Sequence, residues 1–211
     1  MMPSPTTFQR VPIFALLLFV IASTGAMAQP TVSVRGNVGA SFFRSPEGLS
    51  EVLHSGVDMG VGANVQVYRG LSVTVHGGYD QFTLNEETAR LFNRIEAGDL
   101  SFLSGALGVR YTYVNESDAH PYVTSGVGVY RVSSSNRKVF QQGELINRKG
   151  EQSFTDLGIH LAIGSLFRMD ETYAVFFEPR YVLYVKDRRP GIRTSALRYF
   201  SLRLGVEVRL N

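Results

Sequence analysis

Hydrophobic residues alternate with small or polar ones in eight separate stretches of the chain. Residues 31–43 place Val32, Val34, Val38, Ala40 and Phe42 on one side, and 56–68 place Val57, Met59, Val61, Ala63, Val65 and Val67 there. Residues 71–82 follow with Leu71, Val73, Val75 and Tyr79, and the pattern returns at 100–113, 121–132, 154–167, 173–186 and 198–210. A period of two belongs to strands, whose successive side chains leave opposite faces. Eight strands are predicted. The segment YAVFFEPRYVLYVKD (173–187) shows the pattern most plainly: Tyr173, Val175, Phe177, Pro179, Tyr181, Leu183 and Val185 form an uncharged face, whereas Glu178 and Arg180 lie on the other.

The connections alternate in size. Short turns are predicted at 69–70, 115–120 and 168–172, and long polar connections at 44–55, 84–98, 133–152 and 187–197. An antiparallel up-and-down barrel with both chain ends on one side then has three tight turns at that end and four long loops at the other, the asymmetry of a membrane-spanning barrel. Pro179, in mid-strand, cannot donate to a ladder, so a bulge or gap is expected there.

The central positions of the apolar faces hold no Asp, Glu, Lys or Arg; Arg198 falls at a strand end, and the side of Arg131 depends on the register of the fifth strand. The opposite faces carry Arg35, Asp58, Asp80, Arg110, Asp156, Glu178, Arg180, Lys186, Arg203, Glu207 and Arg209. Near-balanced charge suits a filled polar lumen, because an unpaired buried charge costs several kcal/mol. An interior ion network of Arg35, Asp58, Arg110, Glu178, Arg180, Arg203, Glu207 and Arg209 is expected, with a gated ion path as the other use of the same residues. The binary pattern also suits an inverted molecule, a secreted soluble ligand-binding barrel with its apolar face inward. Strands of 11 to 15 residues, against the roughly 9–11 a tilted membrane strand needs, favour the membrane. So do aromatics grouped near the strand ends. Tyr68, Tyr111, Tyr113, Tyr122, Phe167 and Tyr173 near the short turns, and Phe42, Tyr79, Phe82, Phe102, Tyr130, Tyr184 and Tyr199 near the long loops, predict two interfacial girdles.

Composition narrows the compartment. The start MMPSPTTFQR, the apolar VPIFALLLFVIA and the A-x-A site at Ala26 and Ala28 have the layout of a secretory signal, so residues 1–28 are expected to be cleaved and 29–211 to form the barrel domain. Cysteine is absent, which excludes a disulfide framework and a lipid-modified cysteine. Only Arg10 of the 21 Lys and Arg precedes Gln29, so the remainder carries a formal charge of +2. That balance gives no footprint for nucleic acid. Eighteen basic residues are arginine and three are lysine, a bias toward planar pairing with carboxylates or phosphates.

With its leader, its alternation, the FFEPRY strand and the closing strand YFSLRLGVEVRL, the chain resembles the small eight-stranded outer-membrane proteins of Gram-negative bacteria, of the OmpA-transmembrane, OmpX and opacity-protein type. The resemblance implies an outer-membrane location, a monomer in contact with lipid and lipopolysaccharide, and delivery by periplasmic chaperones to the barrel-assembly machinery. Such barrels commonly end on an aromatic residue, whereas this sequence ends on Leu210 and Asn211, and no peptidoglycan-binding domain is expected after the barrel. Two related barrel families are enzymes acting on lipid A, one through a His-x-Ser pair; no such pair occurs here, and His54 and Ser55 are adjacent in a loop. No catalytic, cofactor or metal site is expected. His76 and His160, with Asp156 four residues before the latter, face inward and read as hydrogen-bonding groups of the lumen.

The loops hold the remaining signals. Residues 85–98 carry an Asn cap, Glu86 and Arg90 at i,i+4, and Leu91 with Ile95, which predicts a short helix serving as a lid. The triplet NRK occurs at 136–138 and again at 147–149, and KDRRPGIR spans 186–193. Arg137, Lys138, Arg148, Lys149, Arg188, Arg189 and Arg193 are therefore candidate anion-binding residues, suited to phosphates of lipopolysaccharide or a polyanionic partner. The expected role is a non-enzymatic surface or envelope-structural one, with a narrow porin-like channel for small or apolar solutes as the alternative.

Overall fold

A computed structural model describes residues 31–45, 47–53, 55–91, 94–141, 144–185 and 197–210. The expected leader, residues 1–28, lies outside them. The strands are β1 (Val32–Ser45), β2 (Gly56–Tyr68), β3 (Leu71–Phe82), β4 (Arg94–Thr112), β5 (Ala119–Gln141), β6 (Glu144–Lys149), β7 (Gln152–Arg168), β8 (Tyr173–Val185) and β9 (Arg198–Arg209). The order β4-β3-β2-β1-β9-β8-β7-β5 closes on itself through β4–β5 pairing, and every pair is antiparallel. Eight strands make the wall. The short β6 pairs with the far end of β5 alone.

The turns explain the register. Arg69 and Gly70 make the β2–β3 turn, and Gly70 has φ 75°, where an added Cβ would also sit 2.5 Å from the Thr112 carbonyl oxygen. At Pro179 the β7–β8 ladder lapses between the pairs Ala162–Arg180 and Ser165–Phe177, while β9 continues to pair there through Leu202. The missing N–H of proline accounts for a ladder that is whole on one side and broken on the other.

The faces follow parity. Val38, Val61, Val127, Leu157, Ile163, Phe177 and Leu204 are exposed on the outside, and Arg35, Asp58, Asp80, Arg110, Glu178, Arg180, Arg203 and Glu207 are buried inside. Besides Arg44 and Arg198 near strand ends, the outer face carries Arg131, exposed and opposite Leu103 and Thr155. Its long stem suits the membrane boundary, where the guanidinium reaches headgroups while the methylenes stay in apolar surroundings.

Two expectations from the loops are corrected. Residues 133–152 are not a long polar connection: β5 runs on to Gln141, pairs with β4 through Arg94–Ala97 and turns back into β6. Beyond the membrane a strand has no lipid face to keep apolar, so its sequence loses the alternation that marks the rest. The predicted helix over 85–98 is confined to α2 (Glu86–Ala89), capped by Asn85, whose Oδ1 accepts from the Thr88 amide at 3.2 Å. Arg94 onward belongs to β4, because the β5 extension offers its backbone a ladder. A second short helix, α1 (Glu47–Val52), precedes the isolated bridge between Leu53 and Leu84, and the Asn85 amide donates to the Val52 carbonyl at 2.7 Å.

The outer aromatic girdle is also corrected. Phe82, Phe102, Tyr130, Tyr184 and Tyr199 are buried inside the barrel, joined by Phe43, Leu53, Leu100, Val132 and Val182 in one cluster. Phe82 stands edge-on to Phe43, Phe102 and Tyr199 at centroid distances of 5.6, 5.6 and 5.7 Å, and Tyr130 to Tyr184 at 4.9 Å. Their parity matches the buried residues on the same strands, so proximity to a loop is outweighed by the side of the sheet. Tyr122 likewise turns inward. Tyr68, Tyr111, Tyr113, Phe167 and Tyr173 remain exposed at the short-turn end as a girdle.

Candidate functional site

The interior is built in layers from the short-turn end upward. Lowest, Glu207 of β9 accepts from both terminal nitrogens of Arg110 on β4, at 2.6 and 2.9 Å, and from Ser33 Oγ of β1 at 2.7 Å. Asn64 Nδ2 donates to that serine at 3.1 Å. Above it Glu178 Oε2 accepts from Arg35 Nη2 and from the Tyr122 hydroxyl, each at 2.9 Å. The Arg35 guanidinium lies 3.9 Å from the centroid of Phe176, a cation–π contact. Planar guanidiniums meeting carboxylates from distant strands are what an arginine-rich, lysine-poor interior makes available.

The next layer centres on Arg203. Its Nε donates to Asp58 Oδ2 at 2.9 Å, its Nη2 donates to the same oxygen, and its Nη1 lies 3.8 Å from Glu178 Oε1 and 3.2 Å from His76 Nε2. Asn37 Nδ2 completes Asp58 at 2.7 Å, while Asp80, opposite Asp58 in the ladder, accepts from Ser41 Oγ and the Tyr199 hydroxyl, both at 2.7 Å. Tyr199 joins the polar layers to the aromatic cluster above.

Six of the eight expected network residues, Arg35, Asp58, Arg110, Glu178, Arg203 and Glu207, are thus joined by ion pairs. Arg180 is buried beside them, but its Nε and Nη2 have no hydrogen-bond partner. Arg209 is exposed and lines a cavity of about 130 Å³ at the short-turn mouth, together with Arg110, His120, Arg168 and Glu207. Sequence reasoning missed the neutral partners Ser33, Asn37, Ser41, Tyr122 and Tyr199. Parity was the one signal that marked them. His160 is buried in the interior, Asp156 is half-buried, and no group of three or more metal-ligating side chains occurs among the described residues.

At the opposite end the β5–β6 hairpin sets Arg137 opposite Lys149 and Lys138 opposite Arg148. The two NRK triplets therefore overlap at their basic residues, while Asn147 pairs with Val139. Lys138 Nζ is ion-paired with Glu86 of α2. Arg188, Arg189 and Arg193 lie outside the described residues.

A closed eight-stranded barrel with an apolar exterior and a charged, hydrogen-bonded interior has counterparts among known proteins. The sequence profile of the family described as outer membrane protein beta-barrel domain matches residues 13–210. The chain belongs to this family. Its location is the outer membrane, which fixes the outward residues as the lipid-facing ones. Among solved structures, outer-membrane beta-barrel relatives include Neisserial surface protein A, with 14% identity over 84% of this chain and 96% of that one at a TM-score of 0.57. The outer membrane protein OprG of Pseudomonas aeruginosa gives 13% identity over 89% and 99% at 0.52, and a major outer membrane protein of Thermus thermophilus gives 14% over 85% and 99% at 0.51. These likenesses speak to the beta-barrel fold alone. A comparison with curated protein sequences gives no match.

Proposed function

We propose that this outer-membrane barrel is a non-enzymatic, non-conducting surface protein whose outer hairpin binds phosphate-bearing polyanions, lipopolysaccharide foremost. The observation that carries the reading is the hairpin register: Arg137 faces Lys149 and Lys138 faces Arg148. Like charges directly opposite one another destabilise a strand pair, so two such pairs in succession disfavour the isolated hairpin and favour one with an anion beside it. The interior supports the non-conducting part, since ion pairs and aromatic side chains fill an eight-stranded lumen that is barely wide enough for side chains. The protein acts as a monomer, reaching the membrane through periplasmic chaperones and the barrel-assembly machinery.

The test is binding of the detergent-refolded protein to lipopolysaccharide at several salt concentrations, beside a variant carrying Arg137→Gln, Lys138→Gln, Arg148→Gln and Lys149→Gln. Weaker binding with a shallower salt dependence in the variant supports the reading. Equal binding by both proteins contradicts it.

A further inference from the structure

Arg180 stands apart from the other buried arginines. Arg35 has Glu178, Arg110 has Glu207 and Arg203 has Asp58, whereas Arg180 has no ion pair among the described residues. It is only 3% exposed. The remaining inward acid, Asp156, lies six residues along β7 from Ala162, the residue that faces Arg180, roughly 20 Å at strand spacing. Asp80 does not fill the gap either. It sits opposite Asp58 in the β2–β3 ladder and accepts from Ser41 Oγ and the Tyr199 hydroxyl, both at 2.7 Å. Glu178, two residues away on the same face, is already engaged by Arg35 and Arg203, so Arg180 is left without an ion pair of its own.

The surroundings of Arg180 are short of acceptors. Ser201 faces it on β9, and Thr124 on β5 faces Ala162, its neighbour on β7. His160 lies two residues further along β7 on the same face, close enough for the two groups to act on one another electrostatically. Arg180 Nε and Nη2, Ser201 Oγ, Thr124 Oγ1 and His160 Nδ1 are all buried without a hydrogen-bond partner. A guanidinium only donates, and hydroxyls and an imidazole nitrogen turn donor readily. Two hydroxyls and an imidazole nitrogen without partners, set in the ladders beside a buried guanidinium that lacks an ion pair, suit an anion site. The space is small: a Cβ on Gly126 would already lie 2.5 Å from the His160 ring.

We infer that the barrel interior holds a monatomic anion, chloride under ordinary conditions, bound by Arg180 with Ser201, Thr124 and His160. The ion pairs with Arg180 and acts as a structural ligand, independent of what the outer hairpin binds.

Crystals of the refolded wild-type protein soaked in sodium bromide test this directly. The expected result is an anomalous bromide peak within hydrogen-bonding distance of the Arg180 guanidinium; peaks confined to the outer surface overturn the inference. A solution measurement runs beside it, heat unfolding in sodium chloride and in sodium gluconate at equal ionic strength. Chloride is expected to raise the wild-type midpoint, and Arg180→Gln is expected to abolish that difference. A chloride effect of the same size in both proteins, or none in wild type, speaks against the site. If Arg180→Gln does not refold, the wild-type bromide map decides alone.

Discussion

Arg203 of β9 bonds Asp58 of β2 across the intervening β1, placing a fully buried ion pair over the seam where the first and last strands meet. Backbone pairing between β1 and β9 closes the ring. The side-chain tie ensures that opening this seam also strands two charges in the interior.

Replacing one partner of that pair therefore does more harm than replacing both. Arg203→Met alone is expected to lower stability by about 3–5 kcal/mol, because Asp58 is left buried and unpaired. The double change with Asp58→Leu recovers part of the loss. Unfolding followed by the boiling-dependent shift in gel mobility separates these outcomes; single and double variants that lose stability additively contradict the coupling.

The orientation of the wall makes a second prediction. Val61 is 68% exposed, and Val61→Lys on the lipid face is expected to cost about 2–4 kcal/mol near mid-bilayer. The same substitution at Tyr68, exposed beside the short turn, costs about 1 kcal/mol or less. Urea unfolding in lipid vesicles measures both, and equal costs argue against the depth assigned here.

Tyr199 is both an aromatic of the outer cluster and the hydroxyl donor to Asp80. Tyr199→Phe removes only the hydrogen bond, and leaving Asp80 short of a donor costs about 1–3 kcal/mol. Tyr199→Ala also opens a void among Phe82, Phe102 and Tyr184, with a total loss of about 3–5 kcal/mol. Thermal melts by circular dichroism rank the three proteins, and indistinguishable alanine and phenylalanine variants would show that ring packing contributes little.

Glu86 restrains one of the hairpin cations through Lys138, and its side chain is 45% exposed. Such a pair contributes at most about 1 kcal/mol to folding, so Glu86→Gln leaves stability nearly unchanged. It also frees a cation and removes a competing anion. Tighter lipopolysaccharide binding at low salt, converging with wild type at high salt, is the expected outcome; weaker binding sinks this assignment.

Much of this architecture was legible from alternation, because a wall with lipid on one side and packed charge on the other admits no register error. Glu178, Arg203 and Glu207 declared the inner face by charge alone. Phe82, Phe102, Tyr130, Tyr184 and Tyr199 lie near the loops, which suggests a girdle, yet each shares its parity with inward residues of its strand, and parity decides the side. The strand residues beyond Val132 were illegible for a physical reason: outside the bilayer neither face must be apolar, and no period survives to be read. Nor does one-dimensional pattern distinguish Arg180, enclosed and unpaired, from Arg209, which the strand end leaves exposed at the mouth. That difference belongs to the closure of the ring.

Buried ion pairs and aromatic rings leave a lumen that is filled rather than open, and ion conductance across planar bilayers tests this most directly. The refolded wild-type protein is expected to show no stable single-channel steps, and the Arg203→Met variant to unfold more easily without acquiring them. Long-lived, voltage-stable openings of the wild-type protein would contradict the filled interior and make the buried arginines and carboxylates the lining of a pore.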